Sequence, residues 1–88
     1  MEFEWDADKA ERNQRAHGVP FELSHHFEFE SAWTVLDDRF DYPEPRWRSI
    51  GFIAGRLHVI VFTHRGHKVR VISLRKANNR EIRTYERR

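Results

Sequence analysis

The sequence predicts one α+β domain over residues 1–88, with an antiparallel sheet of about four strands, two helices before it and one after, the helices gathered on one side. Three observations predict it. The chain has 88 residues, 39% of them hydrophobic, with seven Phe and three Trp, which is enough for one modest core. Helix start and stop signals stand near both ends, and β-branched runs punctuated by glycine fill the stretch between residues 46 and 75. No repeat, low-complexity tract or Gly/Ser linker divides the chain.

Taken in order, Asp6 is an N-cap for a helix running to about Ala16, and Gly18 is a natural residue just past its end. Pro20 opens a second helix at its first position, with Leu23 and Phe27 four residues apart on the buried side. Residues 32–36 read as a short strand, and residues 37–45 as an acidic loop broken by prolines. Residues 46–54 alternate loosely and end at Gly55-Arg56, a candidate two-residue turn. Residues 57–65 and 68–75 form a hairpin around Gly66-His67. Asn78-Asn79-Arg80-Glu81 has capping-box spacing and opens a last helix that turns Ile82 and Tyr85 inward.

Pairing His64 with Val69 sets the faces of that hairpin. Leu57, Val59, Val61 and Thr63 then lie with Arg70, Ile72 and Leu74, and Arg65 stands at the end of that face. The opposite face gathers His58, Ile60, Phe62, His64, Val69, Val71, Ser73 and Arg75. A slip of one residue inverts the assignment. Both faces are apolar at the centre, which fits helices on one side and a partner or substrate on the other.

The net charge of +2 hides an asymmetry. Residues 1–44 carry four Lys/Arg against twelve Asp/Glu, and residues 45–88 carry twelve against two. Thirteen of the sixteen cations are arginine, the planar bidentate reader of phosphate. Either the second half builds a basic surface aimed at phosphate, or the two halves neutralise one another across the fold. The absence of cysteine excludes a disulfide framework and a thiolate zinc site, and fits a reducing compartment. The longest apolar run, residues 59–62, is far short of the ~20 residues of a membrane span, and the acidic start does not read as a signal peptide.

Three constellations bear on chemistry. Arg46, Arg65, Arg70 and Arg75 are distributed over three successive strands, with Arg80 opening the helix beyond. Strands lie about 4.8 Å apart, so these side chains can converge on one phosphodiester and neutralise its transition state without a metal. The alternative is ion pairing with Glu44, Asp37, Asp38 and Asp41. The six histidines suit proton transfer near neutral pH, but His17 ends a helix, where its cation suits the dipole. His64-x-x-His67 has no third ligand near it in sequence. Glu44, next to Pro45-Arg46, is either a general base for a 2′-hydroxyl or a support that holds an arginine. No Gly-rich phosphate loop, nucleophile elbow or paired-carboxylate motif is present, and no cofactor is expected.

The order of residues adds a resemblance. Phe3-x-Trp5-Asp6-x-x-Lys9, Asn13 and His17-Gly18-Val19-x-Phe21 resemble the opening of the BrnT family of bacterial toxins. The match continues through Glu44-x-Arg46, Gly51, Thr63-x-Arg65, Arg70-Val71-Ile72-Ser73-x-Arg75-Lys76-Ala77, Glu81 and Tyr85. Ala16, where the family has lysine, and Leu74, where it has alanine, depart from it. The resemblance implies a RelE/ParE-like fold and a metal-independent endoribonuclease of a cytoplasmic type II toxin–antitoxin module. It implies an RNA substrate, a small BrnA-like antitoxin, and operator DNA contacted only through the complex. Carried onto this chain, it makes Arg46, Arg65 and Arg75 the catalytic candidates, with Arg70, Lys76, Arg80 and His17 as RNA-binding residues. The other reading is a non-enzymatic module that joins a DNA-binding partner, motivated by the acidic half and by Trp33, Phe40, Tyr42 and Trp47 as exposed aromatics. No helix-turn-helix pattern supports DNA binding by this chain alone.

Overall fold

A computed structural model describes residues 1–88. It is an α+β domain whose elements run β1 (Glu2–Glu4), α1 (Ala7–His17), two 3-10 segments (Phe21–His26 and Phe29–Ser31), β2 (Trp33–Leu36), β3 (Trp47–Ile53), β4 (Arg56–Arg65), β5 (Lys68–Lys76) and α2 (Asn79–Glu86). The sheet has five strands, not four, in the order β1-β5-β4-β3-β2, and it is mixed. β1 lies parallel to β5, with Glu4 beside Arg70, whereas every other neighbouring pair is antiparallel.

Local signals explain the termini of the helices. The Asp6 carboxylate accepts from the Asp8 and Lys9 amides, which holds its pKa below the ordinary range, and Gly18 closes α1 at φ +71°. Asn78 and Glu81 form the expected capping box of α2. The segment after Pro20 is a 3-10 turn rather than an α-helix, and it still buries Phe21 and delivers Phe27 to the core. The first hairpin turns at Ala54-Gly55, one residue earlier than expected, with both residues at positive φ as a type I′ turn needs.

Helices cover both faces of the sheet. α1 and the 3-10 segments pack over Phe62, Ile60, Val71, Val69 and Leu74, whereas Ile82 and Tyr85 of α2 pack with Ile50, Leu57 and Val59 on the opposite side. The division rests on a correction to the hairpin register. His64 pairs with Val69, and the expected register persists to Phe62 and Val71. It then slips by one at a bulge, so that Val61 faces Ser73, Ile60 faces Leu74 and Val59 faces Arg75. Ile72 is the extra residue. Leu74 thereby moves into the α1-side core, and Arg75 crosses to the face that carries Arg70.

Past β1, the edge of β5 is closed by a side chain. Asn13 on α1 donates to the carbonyls of Leu74 (2.7 Å) and Val19 (3.1 Å) and accepts from the Leu74 amide (3.2 Å). One carboxamide thus does for Leu74 what a neighbouring strand would do.

Candidate active site

The face turned towards α2 carries the arginines. Side chains alternate along a strand, so Arg46, Arg48 and Ile50 point to one side of β3. Arg48 pairs with Val61, and Val61 with Ser73. One step along, the Arg46 carbonyl accepts from the Asp37 amide at 2.7 Å, which extends the β2–β3 ladder, while Thr63 pairs with Arg70. Arg65 pairs with Lys68 at the hairpin end. α2 covers the deeper positions Ile50, Leu57 and Val59, so a strip remains on which Arg46, Arg48, Arg65, Arg70 and Arg75 share one face.

Three of these guanidinia are tied to carboxylates. Arg65 donates to Glu44 from Nε and Nη2 (3.2 and 2.9 Å), and Arg70 donates to Glu4 across the β1–β5 pair (2.7 Å). Arg75 makes a bidentate pair with Glu81, both distances 2.7 Å. That pair raises the Arg75 pKa and holds Glu81 below the ordinary carboxylate range. The ion-pairing alternative is therefore real for three arginines, although two of the three acids, Glu4 and Glu81, are not those proposed from the sequence. Glu44 is seen in the supporting position. Asp37, which is buried, instead takes two bonds from Arg39 (2.7 and 2.8 Å), and these keep it ionised below the usual range.

Arg46 and Arg48 differ. The Arg46 guanidinium lies 4.1 Å above the Tyr42 ring, a cation–π contact, and has no carboxylate partner. Arg48 has none either, and the Nε atoms of both are buried without a hydrogen-bond acceptor. Sequence reading overlooked Arg48. Its signal was its place two residues after Arg46 on a strand.

The other candidates are dispersed. Arg80 is exposed in the first turn of α2. Lys76 is exposed at the end of β5 and alternates to the face opposite Arg75. His17 is exposed at the end of α1, in the other layer, and does not reach the arginine strip. Of the four aromatics expected on the surface, only Phe40 is exposed (70%). Trp33 and Trp47 are half-buried against the two cores, and Tyr42 lies half-buried beneath Arg46. His58 is buried, donates Nδ1–H to the Arg56 carbonyl (2.8 Å), and has its pKa lowered mainly by burial. Tyr85 is a core residue whose hydroxyl donates to the Ser31 carbonyl at 3.0 Å. No three His, Asp or Glu side chains converge as ligands for a metal ion. A cleft of about 570 Å³ beside Phe3, His25 and Phe29 lies in the other layer and includes none of the arginines.

The family model described as "Ribonuclease toxin, BrnT, of type II toxin-antitoxin system" matches residues 5–81. This chain belongs to the BrnT family. No curated protein matches the chain. The matched region runs from Trp5 to Glu81 and so contains the whole arginine strip and the carboxylate that holds Arg75. BrnT membership makes this chain a type II toxin of the ribonuclease class, with RNA as target and an antitoxin protein as partner. No helix of this BrnT chain is long and apolar enough to cross a membrane.

Proposed function

We propose that this chain is a cytoplasmic, metal-independent endoribonuclease that arrests growth until a BrnA-like antitoxin binds it, on an architecture of the RelE/ParE type. The observation that carries the reading is the placement of five arginines on one face of the sheet, beside the part that α2 covers. In the reaction, the substrate 2′-oxygen bonds to the adjacent phosphorus as the bond to the 5′-oxygen breaks. The 2′ proton is lost, a proton is gained by the leaving 5′-oxygen, and a 2′,3′-cyclic phosphate and a 5′-hydroxyl result. Arg46, free of any carboxylate, neutralises the extra charge on the phosphoryl oxygens in the transition state. Arg65 and Arg75 act with it from either side, each pre-aimed by its own carboxylate. Arg70 and Arg80 belong to the wider RNA-binding surface on this side, whereas Lys76 and His17, on the other side of the sheet, stand apart from it.

The test is cleavage of RNA by purified protein in EDTA. Arg46→Ala and Arg75→Ala should each lower kcat/KM by roughly 10²-fold or more, as loss of one charge-stabilising donor does elsewhere. Cleavage that disappears with the chelator would refute metal independence.

A second reading is favoured by one patch. Leu36 and Phe40 are 50% and 70% exposed beside Asp38, Asp41 and Glu44, which suits a basic, apolar segment of a protein partner. On that reading the chain is a non-enzymatic module that reaches operator DNA through its partner. Growth arrest that survives both arginine substitutions would favour it.

A further inference from the structure

Arg48 is a charge with no partner inside the fold. It forms no ion pair and no side-chain hydrogen bond, and its Nε is buried without an acceptor. An unmet polar atom of this kind is a cost to the fold that a ligand's acceptor can relieve. Two acids influence it from nearby, Asp37 and Glu81, but Asp37 is already engaged by Arg39 and Glu81 by Arg75, each through two short bonds. The Arg48 guanidinium is therefore left without a hydrogen-bonded or ion-paired partner of its own.

Its position sets the spacing. Arg48 lies in β3 and Arg46 just before it, where its carbonyl continues the ladder, so the two are about 6.6 Å apart at a rise of about 3.3 Å per residue. That repeat is close to one nucleotide step along an extended RNA backbone. The next residue on the same face, Ile50, is already roofed by α2, so the strip ends there. At its other end the Arg46 guanidinium is braced on Tyr42. Two arginines without carboxylate partners, set one nucleotide step apart along the backbone, match two consecutive phosphates of a single strand.

We propose that Arg48 binds the phosphate next to the scissile one, so that the substrate class is single-stranded RNA of at least three nucleotides. This rests on the ribonuclease reading, in which Arg46 takes the scissile phosphate. Arg48 then reads length and backbone, and makes no use of base identity.

The experiment compares a dinucleotide, which has only the scissile phosphate, with tri- and tetranucleotides that contain the same step. The wild-type chain should prefer the longer substrates in kcat/KM by about tenfold, the equivalent of one good charge-assisted contact. Arg48→Gln should reduce that preference to near unity. Arg48→Lys, which keeps the charge but loses the fork, should retain part of it and controls for folding. Binding of a non-cleavable 2′-O-methyl tetranucleotide should lose about 0.7 from its log–log salt slope in Arg48→Gln, as expected for one phosphate contact to a single strand. Equal losses on short and long substrates, an unchanged salt slope, or equal cleavage of the same sequence in a duplex would each overturn the proposal. If the wild type cleaves none of these RNAs while the Arg48-dependent salt slope persists, the ribonuclease reading fails and the phosphate site stands.

Discussion

Glu81 joins two structures that are usually separate, a guanidinium of the arginine strip and a helix cap. Its carboxylate takes both Arg75 bonds at 2.7 Å, and its Oε1 also accepts the Asn78 amide at 2.9 Å. Its side chain is only 15% exposed and that of Arg75 28%, so water screens the pair weakly. Glu81→Ala removes a bidentate pair and half of the capping box. A charge-assisted pair of this kind contributes about 1.5–3 kcal/mol. A lost cap costs about 0.5–1 kcal/mol more. Since both losses fall on one side chain and are not additive, about 2–3 kcal/mol is expected. For a domain of this size that lowers Tm by roughly 10–20 °C. Glu81→Gln keeps an acceptor for Asn78 but loses the charge, and should fall between the two. The folded pKa of Glu81 lies below its unfolded value of about 4.5, so the stabilisation is complete above that pH and is lost as pH falls through the folded value. Thermal melts at pH 7 and at pH 3 should therefore show a large gap between wild type and Glu81→Ala that narrows in acid. A Tm at pH 7 within 2 °C of wild type would refute the linkage of cap and guanidinium.

Two further outcomes test the fold. A methyl group at Gly51 would meet Phe27 Cζ at 2.8 Å and the Ala32 methyl at 3.0 Å, so Gly51→Ala should cost about 1–3 kcal/mol in urea unfolding. Burial lowers the pKa of His58 below its ordinary value of 6.5, which means that the unfolded chain takes up its proton first. Stability should fall as pH drops below about 6.5, and His58→Gln should flatten that limb of a denaturation profile between pH 7.5 and 5.5.

The parts of the fold that were legible in the sequence are those written in adjacent residues. Asp6 and Gly18 bound α1, Gly66 places the second hairpin, and Asn78 with Glu81 opens α2, because each signal acts within four residues. β1 was illegible for the opposite reason. Three residues have no periodicity of their own, and the strand exists because β5 accepts it from more than sixty residues away. The bulge at Ile72 was equally hidden, since a strictly alternating reading sends Leu74 to the arginine face and Arg75 to the core. Burial of Leu74 with Ile60 and Phe62 decides the matter, and that is a tertiary fact. At the candidate site, the strand placement of Arg46, Arg65, Arg70 and Arg75 was legible, although the bulge was needed to bring Arg75 onto the face of the others. Which guanidinia are already neutralised, and that Arg48 is not, depended on carboxylates brought in from other elements.

The pairing of β1 with β5 has a consequence for synthesis. β1, first of the sheet's strands in chain order, bonds only to the last, β5, and Glu4 meets Arg70 at a sequence separation of 66. A closure that distant forms late in folding. All five arginines of the strip also lie in the second half of the chain, and the carboxylate that aims Arg75 arrives only with α2. A nascent chain therefore carries no assembled arginine surface until β5 and α2 have both been made, well after the residues of α1 and the 3-10 segments.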